Sequence, residues 1–411
     1  MTTATEYSPP DTAHSASSRM SSAELRAGGS LASVFALRML GLFLMSPVFA
    51  IYAKSLAGGD NAVMVGIALG MFSLVQACCQ IPFGMASDRF GRKPVIIAGL
   101  ILFILGALIC AESHSLTGII IGRGIQGFGA ISAAITALVA DSTREEHRTK
   151  AMAMIGGSIG ITFALAMVIS PLLYQGIGMS GMFLMTAVLA LGAIGLVIWV
   201  APDVPKQVGE RVPFSAVLKN RELMRLNFGV FVLHLAQMAM FVVVPSTLVQ
   251  VADIPVAAHW KIYLPVMCGS FIVMLPAIFI GEKYGKMKQV FVLAIGLLLL
   301  VQAGFWQLLQ HPYALMALLF AFFVAFNVLE ASQPSLVSRI APPAAKGAAL
   351  GVYNTLQAFG MACGGALGGV LMQYASAASI FLVSAVLTLI WLIIALNMPD
   401  IPRRSAARNQ E

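Results

Sequence analysis

Between residues 31 and 397 the chain runs through twelve apolar segments, each about as long as a helix that crosses a bilayer, roughly 20 residues. They cover approximately 31–53, 62–83, 95–111, 116–139, 151–175, 180–200, 224–249, 259–280, 289–309, 312–338, 348–373 and 376–397. Hydrocarbon leaves no solvent partner for a backbone amide, so only helices or closed barrels can span it. Barrel strands alternate in character and are about ten residues long. These runs are continuous and twice that length, so the spans are helices. Composition agrees: 59% of residues are hydrophobic and 10% charged, against about 25% charged in a soluble domain. Mean hydropathy is +0.89.

The polar stretches set the organisation. Residues 1–28 are rich in Ser, Thr and Ala and read as a disordered cytoplasmic tail, with no signal peptide expected. A six-helix bundle is expected over 29–200, a linker over 201–222, a second six-helix bundle over 223–398 and a cytoplasmic tail over 399–411. With the N-terminus inside, 21 of the 25 basic residues fall on the inner side and only Lys54 and Lys261 on the outer. This asymmetry places both termini in the cytoplasm. It also accounts for the net charge of +8 without a nucleic-acid partner. The five cysteines lie inside apolar runs without metal-ligand spacing and read as small packing residues. No metal site is expected.

The two halves echo each other. Asp88-Arg89-Phe90-Gly91-Arg92-Lys93 follows span 2, and Glu282-Lys283-Tyr284-Gly285-Lys286-Met287 follows span 8. Lys150-Ala151-Met152-Ala153 and Lys346-Gly347-Ala348-Ala349 recur at nearly the same offset. Such a repeat is the build of a two-bundle transporter with parallel halves.

Two patterns mislead. Gly122-Arg123-Gly124-Ile125-Gln126-Gly127 fits a dinucleotide fingerprint and Gly156-Gly157-Ser158-Ile159-Gly160 a nucleophile elbow. Both need a preceding strand, and neither has one. The small residues Gly156 and Gly160, with Pro171 farther along span 5, read instead as sites of close helix packing, as do Gly360, Gly364 and Gly368 in span 11.

The loop Gly84-Met85-Ala86-Ser87-Asp88-Arg89-Phe90-Gly91-Arg92-Lys93-Pro94 resembles the signature loop of the major facilitator superfamily (MFS). Arg123-Gly124-Ile125-Gln126-Gly127 in span 4 resembles the motif of its proton-coupled members. Gly160 through Pro171 resembles the drug–proton antiporter motif, departing from it at Ala166 and Ser170, where glycines are usual. Leu37-Arg38-Met39-Leu40-Gly41 and Lys346 through Tyr353 are similar to the YajR-like branch of efflux pumps, although no soluble C-terminal domain is expected here. The resemblance implies an all-α fold of two pseudo-symmetric six-helix bundles in a bacterial inner membrane. It also implies that Gly84, Asp88, Arg89, Gly91, Arg92 and Lys93 form a cytoplasmic gating loop with Asp141, which would hold the halves together when the pump faces outward.

Four ionisable residues lie deep in the spans: Arg38, Arg123, His234 and Glu330. A charge at mid-membrane is costly, so each is a functional candidate. Each lies on the first helix of a three-span repeat, the helices that line the cavity of this fold. Counting 1.5 Å per residue, Glu330 lies roughly 14 Å from Arg339, and His234 roughly 15 Å from Met224. Arg38 comes close to the same level. Glu330, His234 and Arg38 are therefore the expected proton-coupling group, with Arg123, Gln126 and Gly127 expected toward the outer cavity. The expected function is proton-coupled export of small lipophilic compounds, neutral or anionic, by a monomer powered by the proton gradient without a cofactor. A proton-coupled metabolite symporter or a non-transporting receptor are the alternatives. No catalytic cluster is visible, so the chain is not expected to be an enzyme.

Overall fold

The structure, a computed structural model, describes residues 20–203, 214–342 and 345–399. The first crossing is α1 (Ser22–Phe43) continued by α2 (Ser46–Tyr52). Crossings two and three are α3 (Ala62–Phe90) and α4 (Arg92–Glu112), and α5 (Leu116–Phe128) with α6 (Ser132–Asp141) makes the fourth. Next come α7 (Glu145–Trp199), the short α8 (Phe214–Lys219), α9 (Arg221–Val251), α10 (Trp260–Tyr284) and α11 (Met287–Leu308). The chain continues with α12 (Pro312–Ile340), α13 (Lys346–Tyr374) and α14 (Ser379–Leu396).

Among the described residues, 11 helical stretches are long and apolar enough to cross a membrane. The count falls one short of twelve because α7 is continuous over 55 residues. A helix of that length extends about 80 Å, more than twice the hydrocarbon thickness. Gly178 divides it: its φ of 64° and ψ of −179° are non-helical, and glycine tolerates that backbone without strain. Spans 5 and 6 are thus joined by a single residue. Twelve crossings put both ends of the described chain on one side, called here the terminal face.

The helix ends follow local chemistry. Ser21 accepts from the Glu24 amide while Glu24 reaches back to the Ser21 amide, forming a capping box. Asn61, Ser115 and Asn220 cap α3, α5 and α9 with side-chain oxygens. Gly91 (φ 100°) ends α3, and Gly285 (φ 68°) ends α10 at the corresponding place in the second half. The repeat read from the sequence is therefore also a repeat of backbone shape.

The first crossing breaks at Leu44 and Met45, just before Pro47, which has no amide to donate. The Ser170 hydroxyl donates to the freed Leu44 carbonyl at 2.6 Å. Ser170 and Pro171 are both buried there, so this part of the span 5 motif does pack closely, against the first crossing.

Three sequence-based expectations change. The tail expected over 1–28 becomes helical from Ser22, with Glu24 and Ala27 buried, because Glu24 is held by Arg144. The linker expected over 201–222 contains α8 and the start of α9, while 204–213 lie outside the described residues, as do 1–19 and 400–411. Of the cysteines, Cys110 is buried, whereas Cys78 and Cys268 are exposed on the apolar surface.

A fourth change concerns Gly156 and Gly160. A Cβ added at either would meet no atom within 4 Å. That face of α7 is open and does not pack closely on another helix. Gly156→Leu is accordingly expected to leave thermal stability nearly unchanged, within about 0.5 kcal/mol, as a melting curve of the purified protein would register. A marked loss would mean that another helix does cover this face.

Close packing occurs instead around α13. Gly360 and Gly364 lie directly on the backbone of α9 at Phe231 and Leu235. On its other side, Gly365 and Gly369 face Gly66 across the boundary between the halves. A Cβ at Gly70 would sit 2.8 Å from the Ala362 carbonyl, and one at Gly66 would sit 2.9 Å from the Gly369 backbone. The Ala62 amide adds a hydrogen bond to Gln373 Oε1 at 2.9 Å. These contacts belong to the first half of α3 and the last half of α13, so they seal the two bundles at the face opposite the termini.

Candidate functional site

The signature loop is built around Arg92. Its guanidinium donates to Asp88 at 2.5 Å, Asp141 at 3.0 Å and Ser87 at 2.8 Å. Lys93 pairs with Asp203 at 2.8 Å, although Asp203 is almost fully exposed and the pair contributes little. Arg89 lies over the Phe90 ring, and Gly84 brings α3 against Ala133. The expected bridge to the second half is not what these bonds make: each joins residues of the first half or, for Lys93, the start of the linker. With the opposite face sealed by α3 and α13, the cluster acts here as a clamp within one bundle.

Glu24 adds a second clamp nearby. It accepts from the Arg144 guanidinium and from the Arg144 backbone amide, tying the start of α1 to the start of α7. In the second half Glu282 is paired with Arg339, which also donates to Ser335. The pairing is inverted relative to the first half. There the loop supplies the base and the helix end the acid.

The four embedded ionisable residues separate into two groups. On the first half, Arg38 donates to Gln76 Oε1 at 2.7 Å and Ser132 Oγ at 3.3 Å, and it lies over the Phe72 ring at 5.5 Å. Arg123 lies over the same ring at 5.1 Å and donates to Gln126 Oε1 at 3.5 Å. Two cations thus share one aromatic ring. Arg38 Nε is buried without a hydrogen-bond partner. Gly127 lets α5 approach the α3 backbone at Phe72, which positions that ring.

On the second half, His234 of α9 and Glu330 of α12 come together as expected, with Nε2 and Oε2 3.4 Å apart. Arg38 is not joined to them; its hydrogen bonds go to Gln76 and Ser132. A residue the sequence reading missed, Gln357 of α13, bridges the pair. Its Nε2 lies 2.7 Å from His234 Nε2 and 3.4 Å from Glu330 Oε1. Only the occurrence of an amide inside an apolar span could have flagged it, a signal shared by Gln76, Gln237 and Gln302.

Aromatic rings close the space beyond. Phe163 of α7 contacts Phe326 at 5.6 Å, Phe323 at 6.0 Å and Phe241 at 6.4 Å, joining the two halves at mid-span. Phe326 in turn packs on the His234 ring at 5.8 Å. One turn from His234, a small cavity is lined by Leu42, Ser46, Gln237, Met238, Phe241 and Met361 among others. The arrangement can hold a proton on the His234–Glu330 pair and present two guanidinium groups from the opposite bundle.

Gln76 provides the shorter of the two hydrogen bonds described for Arg38. Gln76→Leu is therefore expected to lower stability by about 1–3 kcal/mol, the usual cost of stranding a buried polar group. Thermal unfolding in detergent would register it. An unchanged midpoint would mean that Arg38 finds another acceptor.

The chain matches the Major Facilitator Superfamily over residues 31–362 and 260–411. It belongs to that family. It is 44% identical over 396 residues to the inner membrane transport protein YajR of Escherichia coli, covering 95% of this chain and 87% of YajR. It is 26% identical to the multidrug resistance protein MdtH of Yersinia enterocolitica, over 80% of this chain and 82% of that one. In fold it resembles the human organic anion transporter MFSD10, with a TM-score of 0.67 at 19% identity, covering 90% of this chain and 99% of that one. The protein is thus an integral membrane secondary transporter of the MFS type. Members of this family are not enzymes.

Proposed function

We propose that this transporter exports small lipophilic compounds, neutral or anionic, in exchange for protons. The termini lie in the cytoplasm, on the side where the basic residues collect, and the face sealed by α3 and α13 is the outer one. The observation that carries the reading is the His234–Glu330 pair, a buried base against a partly exposed acid, in the bundle opposite two arginines. A carboxylate at mid-membrane is retained for a function, and proton relay is the common one. Likeness to a multidrug resistance protein supports export. The two guanidinium groups over Phe72 favour solutes that are not cations.

The driving force is sufficient. One charge crossing 100 mV supplies about 2.3 kcal/mol, enough for a solute gradient of roughly fifty-fold. The test is a panel of lipophilic neutral, anionic and cationic compounds added to energised everted vesicles with a fluorescent reporter of lumenal pH. An exporter run by antiport takes substrate into the lumen and dissipates the proton gradient. Uptake without proton release, or accumulation only in right-side-out vesicles, would overturn the reading in favour of symport into the cell.

A further inference from the structure

The hydrogen bonds around His234 determine its protonation pattern. Nδ1 lies 3.0 Å from the Val230 carbonyl oxygen. A carbonyl only accepts, so Nδ1 carries a hydrogen and, in the neutral ring, Nε2 is the acceptor. Gln357 Nε2 stands 2.7 Å from that atom and 3.4 Å from Glu330 Oε1. Its two amide hydrogens fit these two acceptors, one each. This arrangement needs a neutral imidazole, because an Nε2–H would oppose the Gln357 amine donor to donor. Glu330 Oε2 is buried without a hydrogen bond although His234 Nε2 is 3.4 Å away. The two atoms face each other as acceptors.

One added proton reverses this geometry. On Nε2 it makes an imidazolium whose N–H can donate to Glu330 Oε2, a charge-assisted bond. On Oε2 it makes a hydroxyl that competes with Gln357 for the single Nε2 lone pair. Either way Gln357 loses its acceptor. With the proton on Nε2, turning its amide by half a revolution places the carbonyl oxygen, an acceptor, where the amine was, so that the new N–H can donate to it. The proton enters through Glu330, whose side chain is 26% exposed while that of His234 is 2% exposed. One N–H or O–H bond forms, both hydrogen bonds donated by Gln357 break as its amide turns, the new N–H takes their place as donor, and no electrons move.

We infer that Gln357 is a positioning residue whose amide turns over with the proton on His234–Glu330, so that the two side chains titrate as one unit. It belongs to α13, the helix that packs on α9 through Gly360 and Gly364 and seals the outer face through Gly365 and Gly369. The protonation state is therefore read by the helix that seals that face. This rests on the proton-coupled reading above. The other titratable groups brought by the surrounding helices are few. Tyr353 of α13 donates to Gln333 at 3.4 Å, and Arg38 of the first crossing is engaged by Gln76 and Ser132. The membrane-embedded part of α3 offers Cys78 and Cys79, and α14 offers no titratable residue.

The test is a pH titration of the detergent-solubilised protein with two probes. Infrared spectroscopy follows the protonated-carboxyl band of Glu330, identified by its loss in Glu330→Gln. Nitrogen-15 resonance of labelled histidine follows His234. In wild type the added proton is shared between His234 Nε2 and Glu330 Oε2, so both probes should change over one common transition. In Gln357→Met, which keeps the length and removes donor and acceptor, they should separate by about one pH unit, a tenfold difference in proton affinity. Gln357→Leu serves if the first variant is not recovered from the membrane. Independent titration in wild type, or superimposable curves in wild type and variant, would overturn the proposal. No transport is measured, so failure here is distinct from failure of proton-coupled export, which is judged by flux.

Discussion

Replacing Glu330 by Gln is expected to abolish proton-driven accumulation of substrate while leaving downhill exchange in place. Gln is nearly the same size and keeps an acceptor, so the helix packing of α12 should survive. It cannot take up a proton, and the facing pair of acceptors at His234 Nε2 and Glu330 Oε2 is lost. Accumulation should fall from as much as roughly fifty-fold, the gradient one charge can sustain at 100 mV, to no gradient at all. Counterflow in vesicles loaded with unlabelled substrate measures exchange, and an imposed pH gradient measures accumulation. A variant that still concentrates substrate as well as wild type would remove Glu330 from the coupling and leave His234 to carry it. A variant that loses exchange as well would instead assign Glu330 to substrate binding.

Gly66→Leu is expected to open the face opposite the termini. The α3 and α13 backbones touch at Gly66, Gly365 and Gly369, and a Cβ at Gly66 would lie 2.9 Å from the Gly369 backbone. Neither neighbour is the movable end of a side chain, so the helices must part. Helices with ordinary side chains between them lie 8–10 Å apart, which implies a widening of roughly 2–4 Å. Spin labels at Asp60 and Tyr374, in a background without the native cysteines, would report it as a longer distance. Transport should fall steeply, because a transporter that cannot reseal this face cannot complete the cycle. An unchanged distance with normal transport would show that the glycine contact is not the seal. Gly156→Leu is the matched control, since the face of α7 at that position is open.

Much of the architecture was legible before any coordinates. Twelve apolar runs, two charged loops at one offset and the Arg92 motif follow from hydropathy and local order alone, because a bilayer demands a fixed length of apolar helix whatever its neighbours are. The shared depth of His234 and Glu330 followed from counting residues along their helices. The rotation of each helix did not follow. A membrane helix is apolar on all sides, so its sequence does not mark which face meets a partner. For that reason Gly156 and Gly160 read as packing residues yet face open space, while Gly66 and Gly70, unremarked in the sequence, form the seal. For the same reason Arg38 turns to Gln76 and Ser132 and not to Glu330. Gln357 completes the site only because α13 passes within hydrogen-bonding distance of both α9 and α12. Span length and the depth of each charge were thus properties of the sequence alone. Which groups meet was decided by side-to-side packing of the two bundles, through contacts between residues far apart in the chain.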